Sequence, residues 1–246
     1  MRMPLLVLFG LLCSAVWGQP RLRISPIANG VYVFTTWQDF QGTLFPANGM
    51  YVVGTRGAFL VDAPWDTLQT IPLIDSIYRR HHVRVLGALA THFHGDRTGS
   101  FGVLNRLGIP TYASRQTLRL SEERGEHRAR YTFRADTVFR LGGPVLETRY
   151  FGAGHTADNR VVYDSTSGVL FGGCMIKSSD AGNLGNLADA DPQAWVFTMQ
   201  KLRKAYPKPR FVIPGHEGWA DGQGIEHTQA LLAEYLKPKK KGKTKP

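Results

Sequence analysis

Short apolar runs separated by glycine-rich turns alternate along this chain with longer amphipathic stretches. Val31-Tyr32-Val33-Phe34, Met50-Tyr51-Val52-Val53 and Ala58-Phe59-Leu60-Val61 have the length and composition of strands. Residues 83–90, Val-Arg-Val-Leu-Gly-Ala-Leu-Ala, read as a further, buried strand. A helix is predicted over 66–80, with Asp66 as its cap and Leu68, Ile71, Ile74, Ile77 and Tyr78 on one apolar face. Helices near 98–107 and 114–124 each stop at a glycine, Gly108 and Gly125. The second half has strands near 137–141, 145–151, 160–163, 168–171 and 211–213. Asp191 before Pro192 starts a helix whose Trp195, Met199 and Leu202 face inward, and a closing helix spans about 225–235. Two halves of strands and helices predict the α/β class: an αββα sandwich, two sheets face to face with helices outside.

The strand at 83–90 runs directly into Thr91-His92-Phe93-His94-Gly95-Asp96. Two imidazoles and a carboxylate on a strand-end loop suit zinc. His92 and His94 can grip one ion while Asp96 points to a second, and two ions about 3.5–4 Å apart would share a hydroxide. Three further candidates follow other strand-like runs, each beside glycine: His155 in Gly154-His155-Thr156, Cys174 in Gly172-Gly173-Cys174, and His216 in Gly215-His216-Glu217. Glycine lets the backbone turn sharply and aim each ligand. His81, His82, His127 and His227 lack this context and read as solvated side chains. Gly152-Ala153-Gly154 is not a dinucleotide fingerprint, since the acidic partner and the long crossover helix are missing.

Composition adds compartment and ends. The length, 246 residues with 43% apolar content, suits one large domain or two fused half-domains. Arg2 followed by the short apolar stretch 5–12 reads as a secretory leader, 1–18, cut before Gln19 and too short to span a bilayer. Leu12 is too large for a lipidation signal at Cys13. Cleavage leaves Cys174 as the sole cysteine, with no internal disulfide, and a lone thiol in an oxidising compartment points to a metal thiolate. The net charge of +11 is partly a property of residues 237–246, which hold six lysines and read as a solvated tail. No nucleic-acid partner and no stable membrane span are expected.

The six candidate ligands, with Pro46-Ala47-Asn48-Gly49, Asp62-Ala63-Pro64-Trp65, Cys174-Met175-Ile176-Lys177 and Leu184-Gly185-Asn186, resemble the metallo-β-lactamase superfamily, and within it the first subclass of class B β-lactamases. The resemblance runs from about residue 24 to 235, inside an expected domain at 19–236. Two features set the chain apart from other branches. Arg97 stands where glyoxalase-like relatives carry a second His, and a Cys stands where they use Asp. Thr98-Gly99-Ser100 departs from the family's usual Gly-Gly.

The resemblance implies two zinc ions per chain, the first on His92, His94 and His155, the second on Asp96, Cys174 and His216. It implies attack on the β-lactam amide of penicillins, cephalosporins and carbapenems by a zinc-bound hydroxide, which Asp96 also orients, with Asn186 as a donor to the carbonyl oxygen. Lys177 would bind the substrate carboxylate. The segment 37–46 would form a flap whose Trp37 and Phe40 cover apolar substituents, while Asp62 and Trp65 buttress the metal loop. A monomeric periplasmic resistance enzyme is expected. A lactonase or thioester hydrolase of the same fold is the nearest alternative, and a secreted zinc-binding or interaction protein without turnover is the more distant one.

Overall fold

The computed structural model describes residues 22–238. The leader, 1–18, and most of the lysine-rich tail therefore lie outside the described residues. Strands β1 (Leu22–Ala28), β2 (Val31–Phe40), β3 (Thr43–Gly54) and β4 (Gly57–Val61) form an antiparallel meander. A 3₁₀ turn (Thr67–Gln69) and α1 (Thr70–His81) lead to β5 (Val85–Leu89), then α2 (Gly95–Thr98), α3 (Phe101–Arg106), β6 (Thr111–Ser114), α4 (Arg115–Arg124) and β7 (Tyr131–Phe133). β4 to β7 are parallel neighbours and complete a seven-stranded sheet in order β1 to β7. The second sheet comprises β8 (Thr137–Arg140), β9 (Val145–Arg149), β10 (Val161–Asp164), β11 (Val169–Gly173) and, after α5 (Pro192–Ala205), β12 (Phe211–Pro214). The helix α6 (Gly224–Tyr235) closes the chain's fold.

Strand alternation builds three apolar layers. Val31, Val33, Met50, Val52, Phe59 and Val61 of the first sheet meet Leu146, Val162, Val169, Phe171 and Ile213 of the second. The opposite parity of the first sheet, Phe34, Tyr51, Ala58 and Leu60, packs on Leu73 and Ile77 of α1 and on Phe101 and Leu104 of α3. On the far side, Val161, Leu170 and Val212 pack on Trp195, Met199 and Leu202 of α5 and on Ile225 and Leu232 of α6. The αββα expectation holds, and so does the α5 start: Asp191 accepts from the Ala194 amide at 2.9 Å with Pro192 in the first turn.

Three expectations change. The predicted apolar face of the first helix is rotated: Thr70, Leu73 and Ile77 are buried, while Leu68, Ile71 and Tyr78 are exposed. Leu68 belongs to the 3₁₀ turn, whose three-residue period falls out of phase with the α-helix that follows. Asp66 does cap, but it caps that turn, accepting from the Leu68 amide at 2.9 Å. The helix predicted at 98–107 is divided between two short helices, Thr98 ending α2 and α3 beginning at Phe101; Gly99 between them packs so closely on the Gly95 and Trp65 carbonyls that a Cβ there would come within 2.6 Å of each. Strands β1, β6 and β7 go beyond the predicted set. β1 is an edge strand interrupted at Pro26, where the register shifts, and it shows no clean apolar alternation.

Candidate metal centre

The loops leaving β5, β9, β11 and β12 bring all six candidate ligands together. His92 Nε2 lies 3.2 Å from His94 Nδ1, and His155 Nε2 lies 3.3 Å from that same nitrogen. A tetrahedral zinc with Zn–N near 2.0–2.1 Å sets its nitrogen ligands about 3.3–3.4 Å apart. These approaches therefore match the edges such a coordination polyhedron would have. Beside them, Cys174 Sγ lies 3.4 Å from Asp96 Oδ2 and 3.2 Å from His216 Nε2, and His216 Nε2 lies 3.0 Å from Asp96 Oδ2. A thiolate, a carboxylate and an imidazole at such spacings also fit one zinc. His92 Nε2 and Asp96 Oδ1, 4.0 Å apart, link the two groups.

The donor nitrogens are fixed by what the other ring nitrogen does. His94 Nε2 lies 3.1 Å from Asp189 Oδ2, an acceptor only, so Nε2 carries the proton and Nδ1 is the free donor. His216 Nδ1 donates to the Pro46 carbonyl at 2.7 Å, which frees its Nε2. Burial holds His92 and His155 well below the usual imidazole range and also lowers His216, leaving neutral donors at neutral pH. Burial opposes ionisation of Asp96, but Arg97, helped by His216, holds its carboxyl well below the usual carboxylate range. Burial pushes the Cys174 thiol far up, against the opposing pull of Arg97.

Arg97 is the residue whose role the sequence did not disclose. It is fully buried and makes five hydrogen bonds to four acceptors: Asp96 Oδ2 (2.7 and 3.0 Å), the Asn48 carbonyl (2.7 Å), the Gly215 carbonyl (2.9 Å) and Asp62 Oδ2 (3.2 Å). Asp62 in turn accepts from the Thr91 amide at 2.7 Å and from its hydroxyl at 3.0 Å, so it does buttress the metal loop. Asp189 was equally unannounced. Its Oδ1 pairs with Arg124 at 2.6 Å while Oδ2 holds His94. The Asp189-Ala190-Asp191 segment reads only as the run-up to α5, so no local signal marks it. Gly215 has a direct steric reason: a Cβ there would lie 2.7 Å from the Cys174 amide nitrogen and 2.8 Å from its sulfur. Only glycine lets His216 and Cys174 come this close.

A cavity of about 710 Å³ opens over this cluster. Its wall includes His94, Asp96, His155 and His216, with Lys177 and Asn186 on one side. Lys177 is buried, its Nζ 5.4 Å from the Trp195 ring centre, and burial lowers its pKa. Asn186 is exposed and accepts from the Ala188 amide at 3.0 Å through Oδ1, which leaves its amide N–H groups without a partner among the described residues.

The flap is a β2–β3 hairpin turning at Gln41-Gly42, both left-handed. Gln38, Phe40 and Phe45 line the cavity from it, Phe40 packs on Trp65 at 5.7 Å, and Phe45 lies 5.1 Å from the His216 ring. Trp37 is not part of this wall. Residues 37 and 40 have opposite parity on a strand, and Trp37 pairs with Pro46 on the other face, its backbone clamped by Gln69.

Similarity to known proteins agrees with this geometry. The family model of the metallo-β-lactamase superfamily matches residues 42–216. A type 2 metallo-β-lactamase of Elizabethkingia meningoseptica is 35% identical over 242 residues, covering 98% of this chain and 97% of the relative. The metallo-β-lactamase IND-1 of Chryseobacterium indologenes is 38% identical over 84% of this chain and 87% of its own length. A solved metallo-β-lactamase from Pontibacter korlensis superposes with a TM-score of 0.83 at 37% identity, covering 87% of this chain and 99% of that one. The chain belongs to the metallo-β-lactamase superfamily.

Proposed function

We propose that this chain is a β-lactamase that hydrolyses the ring amide of penicillins, cephalosporins and carbapenems and so confers resistance. The observation that carries the reading is the joining, in one cavity, of two adjacent metal-ligand groups and a buried lysine with no ion-pair partner among the described residues. The ligand chemistry suits two zinc ions, one on His92, His94 and His155 and one on Asp96, Cys174 and His216. Zinc bound there would lower the pKa of its water to about 7, giving a nucleophile at neutral pH, and would stabilise negative charge on the departing nitrogen.

The protein's own groups supply the rest. Lys177 meets the carboxylate beside the ring nitrogen by a charge-assisted contact, strengthened by its burial against Trp195. The free amide of Asn186 donates to the carbonyl oxygen as charge builds there. Asp96, held ionised by Arg97, orients the attacking water. Phe40, Phe45 and Trp65 cover apolar substituents. The leader motif around Arg2 and residues 5–12 supports a periplasmic mature enzyme, which we take to act as a monomer.

The test exchanges Lys177 and follows metal content alongside rate. Lys177→Glu sets like charges together, whereas Lys177→Arg keeps the sign. With both metals bound, the Glu variant should lose about tenfold to a hundredfold more kcat/KM on a carbapenem than the Arg variant, the range for a charge-assisted contact. A neutral lactone should respond little to the exchange. Equal carbapenem rates in the two variants would remove Lys177 from substrate recognition and favour lactone hydrolysis on this fold.

A further inference from the structure

The C-terminal end of α4 carries a carboxylate that the fold does not need. Gly125 ends the helix in the left-handed conformation, and the Glu126 amide donates to the Ser121 carbonyl at 2.8 Å. This closure fixes the Glu126 backbone. The position it occupies ordinarily holds an apolar residue that packs back on the last turn. An anionic group there also sits at the negative end of the helix dipole. Helix stability therefore argues twice against glutamate at 126.

The side chain points into the cavity. Glu126 is part of its wall, and its carboxylate lies against Gly95, between the ligands His94 and Asp96: a Cβ built on Gly95 would come within 3.1 Å of Oε2. The charged neighbours on this segment are paired. Glu122 bridges Arg128 at 3.6 Å, Glu123 bridges Arg119 at 3.4 Å, and Arg124 bridges Asp189. Glu126 has no ion-pair partner among the described residues, although Arg-rich sequence surrounds it. Two further carboxylates, Asp39 and Glu217, line the same cavity.

We infer that Glu126 is a specificity-determining residue whose carboxylate selects β-lactams carrying a cationic substituent. The inference rests on the β-lactamase reading above and deepens it. A substrate then meets two opposite charges: its ring carboxylate meets Lys177, and a positive group elsewhere on it meets Glu126.

The test uses the zinc-loaded mature enzyme and two matched pairs. One pair is cephalosporins that differ only by a quaternary ammonium on the 3-substituent. The other is penicillins that differ only by the same group on the acyl side chain. The readout is the ratio of kcat/KM for the cationic over the neutral member. In Glu126→Gln this ratio should fall about twofold to fivefold in at least one pair, as expected for a partly exposed charge contact. The change should sit in KM and should shrink in about 1 M salt. Glu126→Lys should lower the ratio further. Glu122→Gln, on the same helix but paired and away from the cavity, should leave it in place. Unchanged ratios in both pairs, or an equal fall in Glu122→Gln, would overturn the inference. If the wild-type enzyme hydrolyses none of the four compounds while fully metallated, the β-lactamase reading itself fails, and the inference falls with it.

Discussion

The three-histidine group and the Asp96–Cys174–His216 group lie side by side, but their surroundings differ in kind. In the first, burial keeps the His92 and His155 rings neutral, and one outside charge, Asp189, orients His94. The second holds a carboxylate and a thiol around a buried guanidinium that also grips Asp62 and two backbone carbonyls. The first group is therefore ready for a cation without shedding protons, while the second depends on Arg97 and on deprotonation of Cys174. One centre thus combines a preformed half with a half tied to the sandwich core.

The strongest way to break that contrast is Arg97→Ala. Removing the guanidinium leaves Asp96 and Asp62 buried and without their charge partner, a loss on the order of 3–5 kcal/mol. Denaturant unfolding should show it. Arg97→Lys retains the charge but not the fork, so it should fold better and still lose the second metal ahead of the first when dialysed against a weak chelator. Simultaneous loss of both metals would mean that Arg97 supports the whole centre.

The asymmetry marks where sequence reading ends. His92, His94, Asp96, His155, Cys174 and His216 were all legible as candidates, because each follows an apolar run and all but His92 sit beside glycine. The sandwich was legible too, through the short apolar runs of β3, β4, β10 and β11 between turns. Arg97 stood in the sequence only as an odd residue after Asp96; its acceptors Asn48, Asp62 and Gly215 come from distant loops, and no local pattern joins them. Asp189 was hidden for the same reason. The outward turn of Leu68 and Ile71 depends on a 3₁₀-to-α phase change, which apolar spacing alone does not reveal. β6 and β7 are only four and three residues long, below the length at which alternation becomes a signal.

A smaller effect sharpens the contrast through pH. Burial raises the Cys174 thiol, so binding a cation at the second group releases its proton. Affinity there should climb with pH by about one decade per unit through neutrality. At the first group, burial already keeps His92 and His155 neutral at neutral pH, so affinity should vary much less with pH. Competition with a chromophoric chelator at several pH values separates the two. Cys174→Ser should retain about one metal and lose the steep phase. Two metals in the Ser variant, or a steep phase that persists, would make Cys174 a buried side chain and no ligand.

The smallest expected effect concerns what covers each half. Phe45 lies 5.1 Å from the His216 ring and Trp65 lies 6.3 Å from it, so the hairpin roofs the second group. Phe45 shares a strand face with Gln38 and Phe40, while Trp37 lies on the other. Phe45→Ala should therefore raise KM about fivefold for β-lactams with bulky apolar substituents, roughly the worth of about 1 kcal/mol of lost apolar contact, and change kcat less. Trp37→Ala should leave KM nearly unmoved, since its side chain is outside the cavity wall and the backbone clamp by Gln69 that ties the hairpin to the turn before α1 survives the exchange. Steady-state kinetics on one substrate series decides between them. A KM increase in Trp37→Ala equal to that in Phe45→Ala would mean the hairpin turns over when substrate binds, and the face that roofs His216 here would not be the face that holds the substrate.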